Sequence, residues 1–546
     1  MKVQFNQQQQ YNTQFRGPID TGLRFFATNQ AIGANAVDFG FMVTPRTASD
    51  MVKRGPAAGF ETLRREIMGT VNDSCIGLFG AAAGWLIAGQ INKKFGLDAN
   101  NIFTAPETLN ILAENKADQI KNGKSQLDYI KKTLKDVKAY NPTSKAADSE
   151  GFVRISEKTV NEVSEIIDKS LKNNLDFHKW TKDSTVNSRT ALINKIMEST
   201  GAETQYVLES LDKKKVSNTN LKSLLNDIYI VSDSFNKNKV KEAFQEQIKS
   251  GSNVNENKFV KSLSKFMKTR AGMGFAIASL IGLSVQPINI YLTKLKTGTD
   301  GFVGVEGRSK DNSAQFKALK GASSAAFFSM ILATLNMSPL TFLKSPSKFM
   351  DKMSFNGKMP TINQLKGIYG ITIISRIFSA RDKDELREVL TKDTLGYLSW
   401  LVLGDIVNKL AADGLNKTVM NYKKGQNPKD TNIFKRTFYG ALKTRDEILI
   451  ETLANNGIST VKKQGDGIVN KKFSEMLKDL KKLDKTVQKQ TRSRLRTLNM
   501  AQCAGYAFSG LVLGLGIPNL NIYVTNALDK KRKAAAAKEQ GAKAIA

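Results

Sequence analysis

Along most of this chain charged residues recur every turn or two, but four stretches lack them, and about 20 predominantly apolar residues are what a helix needs to cross a bilayer. The first lies between Asp73 and Lys93, the second between Arg270 and Lys294, the third between Lys320 and Lys344, and the fourth runs from Thr497 to Leu528. Two shorter stretches, Gly367 to Ser375 and Thr394 to Gly404, predict buried or interfacial helices. From Thr104 to Met267 the sequence turns Lys-rich and polar, with Val160, Val163, Ile167 and Leu171 at helical spacing and Phe259, Leu263, Phe266 and Met267 repeating it. Thr104-Ala-Pro-Glu107 has the form of a capping box, with Thr104 at the N-cap. No sustained alternation of apolar and polar residues predicts a strand. The expected fold is all-α: a multi-helix, membrane-associated chain with several Gly/Ala-rich apolar helices or hairpins and a Lys-rich soluble helical region.

The organisation this predicts is a polar, unstructured N-terminus (1–15) and an N-terminal helical region with the first apolar helix (16–103). A soluble helical region (104–270), an apolar helical region (271–412) and a basic amphipathic region (413–496) follow. An apolar helix or hairpin (497–528) and a basic tail (529–546) complete it. The second and fourth apolar runs resemble one another. Gly282 to Thr293 reads GLSVQPINIYLT and Gly514 to Thr525 reads GLGIPNLNIYVT, and paired Gly/Pro-interrupted apolar segments mark duplicated membrane folds.

Small residues inside the runs favour lipid as the surroundings, because helices there associate by close backbone approach. Gly80 and Gly84 form GxxxG, Gly510 and Gly514 form another, and Ala278 with Gly282 is a small-xxx-small pair. Tyr291 and Tyr523 close their runs where an aromatic ring would anchor at the headgroups. The competing reading is a soluble bundle whose central helices are apolar all round. Every run is basic on both flanks, so simple alternating topology predicts poorly. A hairpin over Thr497 to Leu528, broken at Gly514, Gly516 and Pro518, would place both flanks on one anionic leaflet.

Composition narrows the chemistry. The 82 Lys+Arg against 50 Asp+Glu give a formal net charge of +32, which attracts anionic lipid or nucleic acid. One His and two Cys exclude a His-ligated metal centre, a zinc ribbon and a CxxC redox pair. Neither metal nor cofactor is expected. The start, MKVQFNQQQQYNTQF, lacks the apolar core of a cleaved signal peptide. His178, with no nucleophile beside it, reads as incidental, and no GxSxG, HExxH or GxGxxG occurs, so no enzyme is expected.

Gly298, Asp300, Gly301, Gly304, Glu306 and Gly307 form a Gly-rich loop able to meet an anion or a cation, although a plain connector is the simpler reading. Lys462 to Arg496 holds twelve Lys/Arg against four acids, and Phe473, Met476, Leu477, Leu480 and Leu483 suggest one basic amphipathic helix. Its basic surface (Lys481, Lys482, Lys485, Lys489, Arg492, Arg494, Arg496), joined by Lys530, Lys531, Arg532 and Lys533, points to an anionic membrane. The sequence thus predicts a membrane protein with its soluble parts on the cytoplasmic side, serving as scaffold, in remodelling or in transport, with self-association an open option. A transporter would need Asn289, Asn336 and Asn521 to converge between helices. The alternative is a soluble all-α structural or nucleic-acid-associated protein of virion type.

Overall fold

The computed structural model describes residues 22–23, 33 and 36–545, apart from 142–143, 145, 183–188, 203–205, 211–215, 299–300, 302, 304–309, 355–360, 400–402, 422–439, 465–466 and 472. A π-helical turn, Asp38–Val43, leads into α1 (Thr44–Arg54) and α2 (Pro56–Phe95). Gly55, at φ 89°, makes the turn between them, and Pro56 supplies a preset first helical residue. Next come α3 (Pro106–Lys121), α4 (Gln126–Lys135), α5 (Glu157–Lys172), α6 (Phe177–Lys182), α7 (Arg189–Thr200), α8 (Leu221–Phe235) and α9 (Asn238–Lys249). The second long helix, α10 (Lys258–Thr297), starts on Asn257, whose side chain accepts from the N–H groups of Phe259 and Val260.

Beyond it lie α11 (Ala314–Thr334), α12 (Pro339–Lys344), α13 (Pro346–Lys352), α14 (Ile362–Ser379), α15 (Lys383–Leu398), α16 (Gly404–Leu415), α17 (Arg445–Asn455) and α18 (Phe473–Leu480). Last come α19 (Lys485–Phe508), a π-helical stretch Ser509–Gly516, and α20 (Ile517–Ile545). The all-α expectation holds, with small β additions that alternation could not reveal because each strand is at most four residues. Val137–Tyr140, Phe152–Arg154, Tyr206–Glu209 and Val216–Thr219 form an antiparallel sheet in which the first strand lies between the second and third. Two further strand pairs are Met420–Asn421 with Ala441–Leu442, and Val461–Gln464 with Gly467–Asn470.

Two hydrophobic cores organise these elements. The larger fills a cap built from α3 to α9, the sheet and α16 to α19, and reaches the ends of the long helices through Phe95, Phe259, Leu495 and Leu498. All four predicted apolar positions of α5 are buried in it. Trp180 stacks on Tyr229 at 4.0 Å between ring centroids. Thr104 does not cap α3; Ala105 occupies the N-cap, because the Thr104 hydroxyl instead donates to Asp227 Oδ1 at 2.8 Å. Burial pushes the Asp227 carboxyl up to about 7.

The smaller core joins α2, α10, α11, α14 and α15, including Phe275, Phe327, Ile373 and Tyr397. Here α2 and α10 lie antiparallel along their whole length. Arg64 Nη2 donates to Thr293 Oγ1 at 2.8 Å, Asn72 Nδ2 to the Ala278 carbonyl at 2.8 Å, and Phe95 meets Phe259 with centroids 5.2 Å apart. Midway the backbones touch: a Cβ added to Gly274 would sit 2.8 Å from the Gly80 Cα. Gly84 faces Arg270, and Gly282 faces Thr372 and Asn72.

Four sequence expectations change. The third apolar run is broken, since Asn336 takes φ 53° after α11 and the chain restarts at Pro339. Of helix or hairpin, the fourth run is a helix: α19, the π stretch and α20 form one 54-residue rod from Lys485 to Lys538. Pro518 does not turn the chain there, because in the wider π turns the Ile517 N–H bonds to Val512, which eases the clash a Pro ring makes with the carbonyl four residues back. Lys462 to Arg496 is not one helix but a strand pair followed by α18 and the start of α19. The expected boundaries at 270/271, 412/413, 496/497 and 528/529 all fall inside helices.

Candidate functional site

Two helix–turn–helix units, α1–α2 and α14–α15, meet through a buried cluster of charges. At the first turn Arg54 grips Glu388 of α15 with two hydrogen bonds, Nη1 to Oε2 at 2.9 Å and Nη2 to Oε1 at 2.5 Å. At the second turn Arg381 reaches back to Glu61 of α2, Nη2 to Oε1 at 2.8 Å, and also holds Glu385 through Nε at 2.9 Å. Each turn arginine therefore clamps the other unit's helix. One level further in, Arg376 of α14 bridges Glu66 and Asp393, both at 3.1 Å, with all three side chains at most 4% exposed. Arg46 of α1 approaches Glu66 at 3.8 Å. Glycine makes room for Arg46, since a Cβ on Gly396 would lie 3.1 Å from its Nη2, while Gly69 packs beside Arg376, where a Cβ would make an ordinary 3.6 Å contact.

Six cations (Arg46, Arg54, Arg65, Arg376, Arg381, Lys392) face six acids (Asp50, Glu61, Glu66, Glu385, Glu388, Asp393) in this cluster. Within these pairs formal charge balances, the condition under which buried ions persist, and two more buried acids, Asp38 and Asp73, lie beside them. A small cavity opens beside them, lined by Arg65, Glu61, Lys392 and, from α20, Pro518, Asn521 and Ile522. Among the described residues no three His, Cys, Asp or Glu gather to hold a metal. Chemically, the arrangement locks two units together.

No protein-family model matches this chain, and neither does any curated protein or solved structure.

The sequence-predicted residues fall into distinct places. Gly80, Gly84, Ala278 and Gly282 lie on the α2–α10 contact, whereas Gly510 and Gly514 pack on Phe41 of the first π-helical turn. Tyr291 and Tyr523 are 61% and 72% exposed. Asn289 and Asn521 are buried at matching positions of α10 and α20, but Asn289 accepts from Arg64 while Asn521 donates to the Glu388 carbonyl, and Asn336 is an exposed turn residue. The three asparagines do not converge. Asp300, Gly304, Glu306 and Gly307 lie outside the described residues; Gly298 caps the end of α10 at φ 72°, and Gly301 follows it.

The basic surface needs correction too. Arg494 is held by Glu451 at 2.8 Å, and Arg532 by Asp384 with bonds of 2.5 and 3.0 Å, so both are structural ties. Lys482 and Lys533 pair with Asp479 and Asp529, while Lys485, Lys489, Lys530 and Lys531 are exposed. His178 is exposed beside Phe177.

Sequence reading missed the charge cluster, although a signal existed. Laid without a gap on Arg381 to Ser399, Arg54 to Asn72 matches at Arg54, Glu61, Leu63 and Gly69, and Arg65-Glu66 falls on Lys392-Asp393. Leu63 apart, those positions hold the turn arginines, an acid that each clamps, the bridged Glu66 and Asp393, and the glycines beside the inner arginines. On the partner helices only the acceptors correspond: Thr293 of α10 receives Arg64 and Thr525 of α20 receives Arg387 at 2.5 Å, but Arg64 falls on Thr391 and Arg387 on Phe60 in this register.

Proposed function

We propose that the chain is a membrane-embedded, non-enzymatic scaffold that holds a helical cap at an anionic membrane surface. The observation that carries this reading is the exposed face of the long helices. Among the described residues three helices, Pro56–Phe95, Lys258–Thr297 and Lys485–Lys538, are long and apolar enough to cross a membrane, and only 33%, 33% and 24% of their most apolar windows are buried. Leu78, Trp85 and Leu86 stand out from α2, Leu280, Leu283 and Ile288 from α10, and Leu511, Leu515 and Leu520 from the rod. From Met500 to Tyr523 that exposed stripe spans about 35 Å at 1.5 Å per residue, enough for a hydrocarbon core of roughly 30 Å. On α2, Glu61, Arg65 and Glu66 turn inward to the charge cluster, as lipid surroundings require.

Two duplicated units, locked reciprocally by Arg54 and Arg381, form the frame in this proposal, and the cap sits on the cytoplasmic side. Lys93, Lys94 and Lys265 at the cap end, with Lys294, Lys296, Lys530 and Lys531 at the other, meet anionic headgroups. Carbonate washing of membranes carrying the full chain tests the reading. The protein is expected to stay in the pellet and to float with vesicles, more so when they contain phosphatidylglycerol. Release into the supernatant, or salt-sensitive DNA binding without vesicle binding, overturns it in favour of a soluble nucleic-acid-associated protein.

A further inference from the structure

The short helices α12 and α13 carry an apolar face that neither hydrophobic core uses. Phe342 and Phe349 point inward, their rings 5.6 Å apart, and Phe349 packs on Phe275 of α10 at 5.5 Å. Leu340 and Leu343 point the other way, 67% and 73% exposed, beside exposed Lys344 and Lys348. At six and seven residues these helices are too short to cross anything.

Their level along α10 is fixed by two contacts. Lys268 pairs with Asp351 at 2.8 Å, and the Met350 methyl lies 3.3 Å from where a Cβ on Gly272 would sit. Gly272 stands at the cap end of the uncharged stretch of α10, just past Arg270 and before the exposed Leu280, Leu283 and Ile288, and Tyr291 stands near the other end. The separation is about 29 Å at 1.5 Å per residue, against roughly 30 Å for a hydrocarbon core. Trp85 of α2, 75% exposed, is next to Gly84, which faces Arg270 of α10, so an aromatic ring marks the same level.

We propose that α12 and α13 form an interfacial wedge on the cap-side leaflet: Leu340 and Leu343 sink among the upper acyl carbons while Lys344 and Lys348 bind anionic phosphate headgroups. Continuity with the apolar band and charge complementarity identify lipid as the occupant. The inference rests on the membrane reading proposed above.

The experiment places a polarity-sensitive fluorophore on single cysteines, in a background with Cys75 and Cys503 replaced by Ser, and reconstitutes the full chain in phosphatidylcholine/phosphatidylglycerol vesicles. Probes at Leu340→Cys and Leu343→Cys are expected to be shielded from iodide at least fivefold relative to Ser347→Cys, and quenched best by shallow bromolipids. A probe at Leu280→Cys, quenched best by deep bromolipids, reports insertion separately. If the 280 probe meets deep quenchers while the 340 probe is as open to iodide as 347, the wedge is wrong and the membrane reading survives. If the 280 probe is also open, both fall. Shielding of 340 that appears only in self-associated protein, and persists without lipid, assigns the face to a second copy and overturns the wedge.

Discussion

Replacing Arg54 and Glu388 singly and together with Met measures whether the reciprocal clamps hold the two units. Their side chains are 6% and 11% exposed and joined by two hydrogen bonds, so removing either partner leaves a charge with little water to solvate it. Breaking a buried pair in this way costs about 3 to 5 kcal/mol, whereas replacing both partners by apolar residues of similar volume is close to neutral. The low end is expected for each single change. Asp50 lies 3.7 Å from Arg54 and can partly replace Glu388, and Thr525 already donates to Glu388 and partly replaces Arg54. With about 3 kcal/mol lost in each single variant and between about 0 and 3 kcal/mol in the double, the cycle yields a coupling of about 3 to 6 kcal/mol. Denaturant unfolding in mild detergent, followed by circular dichroism, reads it. The exposed pair Lys135–Glu157, 3.0 Å apart at the surface, is the control and should couple by about 1 kcal/mol or less. A coupling at Arg54–Glu388 no larger than the control's would refute the claim that this pair locks the units.

Gly274→Val pushes side-chain carbon into the Gly80 backbone and should cost about 1 to 3 kcal/mol or more, read by the same unfolding assay, while Gly251→Ala, at a glycine with open space around it, tests strain without overlap. Leu280→Lys places a charge on the exposed band of α10, worth about 2.5 to 3.5 kcal/mol against insertion, and should move protein from pellet to supernatant on carbonate washing. Asp227 holds its proton in the folded cap up to about pH 7 but loses it near 3.8 when unfolded. Between those values the native state binds the extra proton, so stability falls as pH rises and levels off above 7. Asp227→Asn should therefore match the parent near pH 4 and exceed it at pH 8, by up to about 4 kcal/mol from a shift of roughly three units. Melting temperatures at both pH values check this, and equal gains at both would exclude titration as the cause.

How much was readable in advance divides along physical lines. Long uncharged runs announced α2, α10 and the rod, because helix length and apolarity are local properties. The amphipathic stripe of α5 was legible for the same reason. The strand pair at Val461–Asn470 was not, since four-residue strands leave no period to detect. Thr104 looked like a cap because a capping box is a local pattern, and its distant partner Asp227 outcompeted the local bond. Arg54, Glu66, Arg376 and Asp393 do not stand out from the other charged residues; nothing nearby in sequence says that an acid is paired more than 300 residues away. The ungapped match between Arg54–Asn72 and Arg381–Ser399 could have exposed them, but it is carried by charged positions and does not show in a comparison of apolar runs.

The widened turns at Ser509–Gly516 set the angular phase between the two ends of the rod. An ordinary helix advances about 100° per residue, so deleting a single amino acid there would swing everything downstream by roughly that angle. Asn521 and Thr525 would then look away from Glu388, and Arg532 would lose Asp384. Insertions or deletions in this octet should be tolerated far less well than substitutions, because what those eight residues store is a rotation.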